Sequence, residues 1–126
     1  MNAPEPRRHV SPGYQRQLDQ GYNFGSVLTF GQRPLLTDTA QLDEWQPDVA
    51  VIGAPFDLGT TNRPGARFGP RAIRTNAYQS GTYHLGHGIE MYDWVEVVDY
   101  GDAACPHGMV ETSLANIKAR VHEVAS

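Results

Sequence analysis

The chain has little of what marks secreted, membrane-bound or nucleic-acid-binding proteins. Cys105 is its only cysteine, so no internal disulfide can form and a reducing compartment is expected. No apolar run approaches the ~20 residues of a membrane span, and residues 1–17 lack the apolar core of a secretory signal. A net charge of -4 offers no basic footprint for nucleic acid. We therefore expect a soluble cytoplasmic protein that binds neither a membrane nor nucleic acid.

Nucleotide and zinc motifs are also missing. The chain contains neither G-x-G-x-x-G nor G-x-x-x-x-G-K-[ST], so a nucleotide site is not expected. Two short pairs, His84-x-x-His87 and Cys105-x-His107, could be imagined as zinc ligands, but neither has the C-x-x-C spacing of structural zinc sites. Nothing obvious lowers the pKa of Cys105, so it is not expected to be a nucleophile.

What is present is organised around residues 49–74. Val49 to Ile52 form a short apolar run, which predicts a strand that is covered on both faces. A loop follows from about Phe56 to Phe68, and Gly69-Pro70 predicts the start of a helix that runs to about Tyr78 or Gln79. This order places the loop at the carboxyl end of the strand, where open α/β sheets bind ligands. The loop is polar and positively charged.

The rest of the chain supplies further α/β elements. We predict a short helix within residues 37–45, capped by Thr37 or Asp38, and a second strand over Trp94–Tyr100. Residues 81–93 are predicted to be a loop with at most a brief extended piece. A final helix from about Met109 has apolar residues at spacings of 4, 3, 4 and 3, which are Val110, Leu114, Ile117, Val121 and Val124.

This strand-helix-strand-helix order predicts an α/β layer with a parallel sheet. We divide the chain into an N-terminal arm and irregular lead-in, residues 1–47, and an α/β part, residues 48–126. The cluster Arg7, Arg8 and His9 suits a solvated tail or an arm that packs on a neighbouring subunit. Two strands do not make a stable open sheet, and the last helix has no closing strand after it. We therefore expect this α/β part to belong to a larger sheet.

Several charged residues allow two interpretations. Asp99 and Asp102, at the end of the second strand, could form a metal or acid/base pair. They could instead bind loop backbone and an arginine, either Arg67 or Arg74, and we favour this structural interpretation. Likewise, Arg63 and Arg67 could position a polar ligand or could tie their loop to the following helix and nearby carboxylates.

The central stretch GAPFDLGTTNRPGARFGPRAIR resembles the N-terminal signature of the ureohydrolase family, and is most similar to its agmatinase-like branch. The resemblance includes the lead-in Phe24–Phe30 and the segment Val97–Asp102, and runs roughly from Pro12 to Ala125. It implies a three-layer arginase-like fold with a central parallel sheet of eight strands. It also implies hydrolysis of a guanidino compound to urea and an amine. In that chemistry two divalent metal ions, usually Mn²⁺ and sometimes Ni²⁺ or Zn²⁺, activate a hydroxide.

The resemblance also sets expectations for individual residues. The family's metal-binding motifs, GGDH, DAHxD and SxDxDxxDP, do not occur here. We therefore expect no catalytic or metal-binding residue in this chain, the metal ions to be bound by residues outside it, and the 126 residues alone to be inactive. Thr61, Asn62 and Arg63 are expected near the substrate, whereas Arg67, Arg74, Asp99 and Asp102 are expected to hold loops in place.

For the complete protein, the resemblance implies a small guanidino substrate such as agmatine and a homo-oligomer, either a trimer or a hexamer. Two alternatives remain open. The chain could be a non-catalytic or regulatory partner of a complete ureohydrolase, or an independent anion-binding α/β module.

Overall fold

The computed structural model describes residues 27–77 and 82–126. Three α-helices and four strands lie within these ranges. In chain order they are α1 (Thr39–Trp45), β1 (Val49–Gly53), α2 (Gly69–Ala77), β2 (Tyr83–His84), β3 (Ile89–Glu90), β4 (Val97–Asp102) and α3 (Val110–Ala125). Short 3-10 helices occupy Phe30–Gln32, Ala66–Phe68 and Met91–Asp93.

Strands β1 and β4 pair in parallel, from Val49 opposite Val97 to Gly53 opposite Asp102. The other edge of β4 binds the segment around Leu35. There the Leu36 N–H donates to the Asp99 carbonyl and the Asp99 N–H donates to the Pro34 carbonyl, both at 2.9 Å. Strand β4 therefore lies between β1 and this segment, and the prediction of a parallel α/β arrangement is confirmed.

The predicted bounds of the second strand are wrong at both ends. Trp94 and Val95 each donate an N–H to the Met91 carbonyl at 3.1 Å, because they close the turn of the Met91–Asp93 3-10 helix. Those N–H groups are therefore not available for strand pairing, and β4 starts at Val97. At the other end Gly101 continues the strand, with a positive φ of 71° that suits glycine.

The helix starts agree better with the sequence. The Asp38 side chain accepts a hydrogen bond from the Gln41 N–H at 2.9 Å, so Asp38 is the N-cap of α1. Of the two predicted caps, Thr37 and Asp38, it is the second that the structure confirms. Helix α2 begins at Gly69 as predicted. Its predicted end at Tyr78 or Gln79 lies outside the described residues, as do the Arg7–His9 cluster and most of the 1–47 arm.

The predicted loop of residues 81–93 contains the small antiparallel hairpin β2–β3.

Helix α3 is confirmed, but much of its apolar stripe is exposed in this chain. Leu114 and Val121 are 51% and 50% exposed. Polar side chains add to its contacts with β4, since Arg120 lies 3.7 Å above the Tyr100 ring and donates to the Tyr100 carbonyl at 2.6 Å. Ser113 is fully buried at the start of the helix.

The core lies on the face of the β1–β4 pair that α1 and α3 cover. Its buried members are Leu36, Leu42, Val98 and Tyr100, with Trp45, Ala50, Ile52 and Val124 packed against them. Side chains alternate between the two faces of a strand, so Asp99 points the opposite way, toward α2. The described part therefore has helices on both faces of a parallel strand pair. None of the helices in residues 27–77 and 82–126 combines the length and apolar character of a membrane crossing.

Candidate functional site at the carboxyl ends of β1 and β4

The carboxyl ends of the two parallel strands lie side by side. Gly53 at the end of β1 is opposite Asp102 at the end of β4, and the Ala103 N–H donates to the Gly53 carbonyl at 2.8 Å. The loop between β1 and α2 leaves from this edge. Ligands of open α/β sheets bind at such an edge, so it is the candidate site.

Asp57 organises that loop from within. Its side chain is only 2% exposed, although it lies in a loop. One carboxylate oxygen accepts hydrogen bonds from the Gly65 N–H at 2.7 Å and the Arg67 N–H at 3.5 Å, and the other accepts from Arg67 Nη1 at 3.1 Å. Burial alone would raise the pKa of Asp57, but these hydrogen bonds and the Arg67 charge outweigh it and lower the pKa.

The tip of the loop carries the three residues that sequence analysis places near the substrate. Thr61, Asn62 and Arg63 are all exposed to solvent. They lie in the chain between Asp57 and Gly65, whose side chain and backbone N–H are joined by a hydrogen bond of 2.7 Å. Their role toward a substrate stays a prediction.

A second ionic cluster joins α2 to the end of β4. Arg74 of α2 makes two hydrogen bonds to Asp99, from Nε at 2.6 Å and from Nη2 at 2.8 Å, and a third from Nη1 to Asp102 at 2.5 Å. Of the two arginines considered for these carboxylates, Arg74 is thus their partner, whereas Arg67 pairs with Asp57. The cluster ties α2 to the end of β4.

The Asp99 carboxylate is fully engaged. Besides Arg74, it accepts hydrogen bonds from the Phe30 N–H at 2.7 Å and the Gly101 N–H at 2.8 Å. Burial raises the pKa of Asp99. The hydrogen bonds from Arg74 and the two backbone N–H groups lower it by more than burial raises it, so the pKa is below its usual value. The same contacts raise the pKa of Arg74, chiefly through its hydrogen bonds to Asp99. Arg74 and Asp99 thus form a buried ion pair in this structure.

The other sequence candidates belong to two different segments. His84 and His87 stack on the β2–β3 hairpin with ring centroids 4.6 Å apart, while Cys105 and His107 follow β4. Burial and the charge of Asp102 raise the pKa of the Cys105 thiol, so its reactive thiolate form is disfavoured. In the part of the chain that the structure describes, no group of three or more His, Cys, Asp or Glu side chains is placed to hold a metal ion.

Sequence analysis missed Asp57 and Arg120. An acidic residue that closely follows an apolar strand and a proline, with an arginine ten positions later, is the signal that could have indicated the Asp57 contact. The contact of Arg120 with Tyr100 depends on how α3 is rotated against the sheet, which periodicity alone does not determine.

Comparison with known proteins decides the family. The profile of the arginase family matches residues 47–126, which is more than half of the chain. The chain belongs to the arginase family. The ureohydrolase resemblance and the arginase-like fold are therefore confirmed.

The relatives of this arginase-family chain are guanidino hydrolases. It is 38% identical over 81 residues to a guanidinobutyrase of Pseudomonas aeruginosa, a match that covers 64% of the chain and 25% of that protein. It is 54% identical over 58 residues to the proclavaminate amidinohydrolase of Streptomyces clavuligerus, covering 44% of the chain and 18% of that protein.

Solved structures give the same result. The chain superposes on a hypothetical agmatinase from Burkholderia thailandensis with a TM-score of 0.68 and 30% identity, covering 82% of the chain and 32% of that structure. The structure of the Streptomyces clavuligerus amidinohydrolase gives the same TM-score at 28% identity, covering 82% of the chain and 33% of that structure. The chain thus spans about a third or less of the length of these relatives.

Proposed function

We propose that this chain is the N-terminal part of a metal-dependent, agmatinase-like guanidino hydrolase, which converts a guanidino compound and water to an amine and urea. The match of residues 47–126 to the arginase family carries this proposal. The names of the relatives support the substrate class, because they include a guanidinobutyrase, a guanidinopropionase and an agmatinase. Agmatine is the substrate that we propose to test first.

Two residues of the loop tip can accept hydrogen bonds from a guanidino substrate. A guanidinium group carries only hydrogen-bond donors, so its partners must be acceptors. The Asn62 amide oxygen and the Thr61 hydroxyl can accept, whereas Arg63 is itself a donor-only cation. We therefore assign Asn62 and Thr61 to a cationic end of the substrate, which is the guanidinium or, in agmatine, also the ammonium group. Arg63 would bind the carboxylate of a guanidino acid such as 4-guanidinobutyrate or, with agmatine, a carbonyl of the protein.

The described residues do not fit a metal pair. Divalent cations need several converging carboxylate or imidazole ligands. The two carboxylates at the strand ends, Asp99 and Asp102, are both hydrogen-bonded to Arg74. In our proposal two divalent ions, Mn²⁺ first and Ni²⁺ or Zn²⁺ as alternatives, are bound by residues outside this chain. The chain alone is then inactive.

A non-catalytic partner of a complete ureohydrolase is the second candidate. The half-exposed Leu114 and Val121 of α3 agree with it, since they could pack against another polypeptide, as they could against the rest of a longer chain. For the complete protein we also propose a cytoplasmic location and a homo-oligomer, a trimer or a hexamer. Mass measurement of the native assembly tests the oligomer.

The deciding experiment starts from the polypeptide as its own organism makes it. Its intact mass is measured, and urea release from agmatine and 4-guanidinobutyrate is assayed with Mn²⁺ and after removal of metal. A mass well above the 13.9 kDa of this chain, with metal-dependent urea release, supports the hydrolase. A mass of 13.9 kDa with no urea release contradicts it, and copurification with a complete ureohydrolase would then support the partner.

A further inference from the structure

Asp57 closes the loop at the candidate site through three hydrogen bonds. Two come from backbone N–H groups, Gly65 at 2.7 Å and Arg67 at 3.5 Å, and one comes from the Arg67 guanidinium at 3.1 Å. The Asp57 carbonyl also accepts from the Thr60 N–H at 3.1 Å, which forms a turn at the start of the same loop. One residue thus fixes both ends of the segment that carries the tip.

The base of this loop, at Asp57, is buried, whereas its tip is exposed to solvent. The Asp57 side chain is 2% exposed, and its partner Arg67 is 35% exposed. Thr61, Asn62 and Arg63 are exposed at the tip. A buried, hydrogen-bonded base beneath an exposed polar tip is the arrangement expected where a protein presents side chains to a ligand and restricts their movement.

We infer that Asp57 is a positioning residue, which holds the loop of residues 58–66 in one conformation and thereby presents Thr61, Asn62 and Arg63 to the guanidino substrate. This inference rests on the proposed function. It assigns no chemistry to Asp57 itself, because the carboxylate is buried and engaged with its own loop. Its effect on the reaction comes through the geometry of the tip.

The test compares three variants, each made in the full-length polypeptide that the native organism produces. Asp57→Asn keeps one acceptor oxygen and replaces the other with an NH₂ donor, so it cannot accept from both the backbone N–H groups and the Arg67 guanidinium, and the negative charge that strengthens these hydrogen bonds is lost. Arg67→Met removes only the guanidinium contact and keeps the Arg67 backbone N–H. Asp48→Asn is the matched control, because Asp48 also accepts a backbone hydrogen bond, from the Glu96 N–H at 2.9 Å, but precedes the amino end of β1.

Hydrogen exchange gives the first readout and does not depend on activity. In Asp57→Asn the amides of Gly65 and Arg67 should exchange faster, while the protection of β1 and β4 stays unchanged. Arg67→Met should show a smaller effect, since the backbone contacts remain. Unchanged exchange at Gly65 and Arg67 in Asp57→Asn overturns the inference.

Steady-state kinetics of urea release give the second readout. Misplacing substrate-binding groups costs on the order of 10–100-fold in rate or affinity, so Asp57→Asn should raise KM at least ~10-fold. Arg67→Met should have an intermediate effect and Asp48→Asn none. A purely structural role would instead reduce the fraction of active protein, which lowers apparent kcat and leaves KM unchanged, and that result overturns the inference.

The two readouts separate this inference from the proposed function. If the wild-type protein releases no urea from any guanidino compound, the proposed function fails and the substrate role of Asp57 fails with it. The exchange data still decide, in that case, whether Asp57 holds the loop. If the wild-type protein is active and Asp57→Asn has an unchanged KM, only the inference about Asp57 fails.

Discussion

Arg74 and Asp99 form a buried two-point ion pair between helix α2 and strand β4. The Arg74 Nε lies 2.6 Å from Asp99 Oδ2, and Nη2 lies 2.8 Å from Oδ1. Their side chains are 10% and 1% exposed. The planar guanidinium matches the carboxylate at two points, a geometry that lysine cannot reproduce. The pair therefore fixes the position of α2, and with it the end of the loop that begins at β1.

Removing the cation of this pair should destabilise the protein strongly. In Arg74→Met the buried Asp99 carboxylate loses its counter-charge, and breaking a buried ion pair on one side costs roughly 3–5 kcal/mol. Arg74→Lys should be milder, because the charge remains and one of the two hydrogen bonds can form. The free energy of unfolding from urea denaturation measures both. Arg71→Met on the same helix is the control, since Arg71 is exposed, and an equal loss in that variant would contradict the assigned role of Arg74.

The same pair predicts how stability depends on pH. The pKa of Asp99 is lower in the folded protein than its usual value of 3.8, so the folded state favours the ionised carboxylate. Its contribution is complete above the usual value and is lost as pH falls through the lower, folded-state pKa. Unfolding free energies measured from pH 7 to pH 2 should therefore fall below about pH 4. Asp99→Asn should be less stable at neutral pH and show a shallower decline in acid, and an unchanged acid slope would contradict the prediction.

Much of the fold could be predicted because it depends on local signals. The apolar run Val49–Ile52 and the Gly69-Pro70 start gave β1 and the beginning of α2, and apolar periodicity gave α3. The bounds of β4 could not be predicted, since Trp94 and Val95 have strand-like composition but donate to the Met91 carbonyl. Local composition does not show which hydrogen bonds a backbone makes.

The candidate site also has features that the sequence could predict and features that it could not. The polar loop and its place at the carboxyl end of β1 follow from the order of elements along the chain. The pairing of its charges does not, because Arg67 and Arg74 both follow the strand and only the folded chain assigns Asp57 to one and Asp99 to the other. Asp57 itself was missed for this reason.

Gly53 is predicted to tolerate no side chain. A Cβ at this position would overlap the Asp102 carboxylate and lie 3.0 Å from the Pro70 Cβ. Gly53→Ala should therefore displace Asp102 from Arg74 and destabilise the protein by roughly 1–3 kcal/mol, as overpacking does. Gly59→Ala in the adjoining loop is the control, because nothing lies within 4 Å of its Cβ position. Urea denaturation measures both, and equal stability of the two variants would show that Asp102 can move at no cost.

Substitutions at the loop tip should separate activity from stability. Asn62 and Arg63 are exposed, so Asn62→Ala and Arg63→Ala should change the free energy of unfolding by no more than about 0.5 kcal/mol. A lost hydrogen bond to a charged group costs about 1.5–3 kcal/mol, which corresponds to a fall of ~10-fold or more in kcat/KM for urea release. Lys118→Ala on α3, another exposed position, is the control and should leave both quantities unchanged. If both tip variants keep the wild-type kcat/KM, the tip does not contact the substrate, and the substrate must be bound by other parts of the protein.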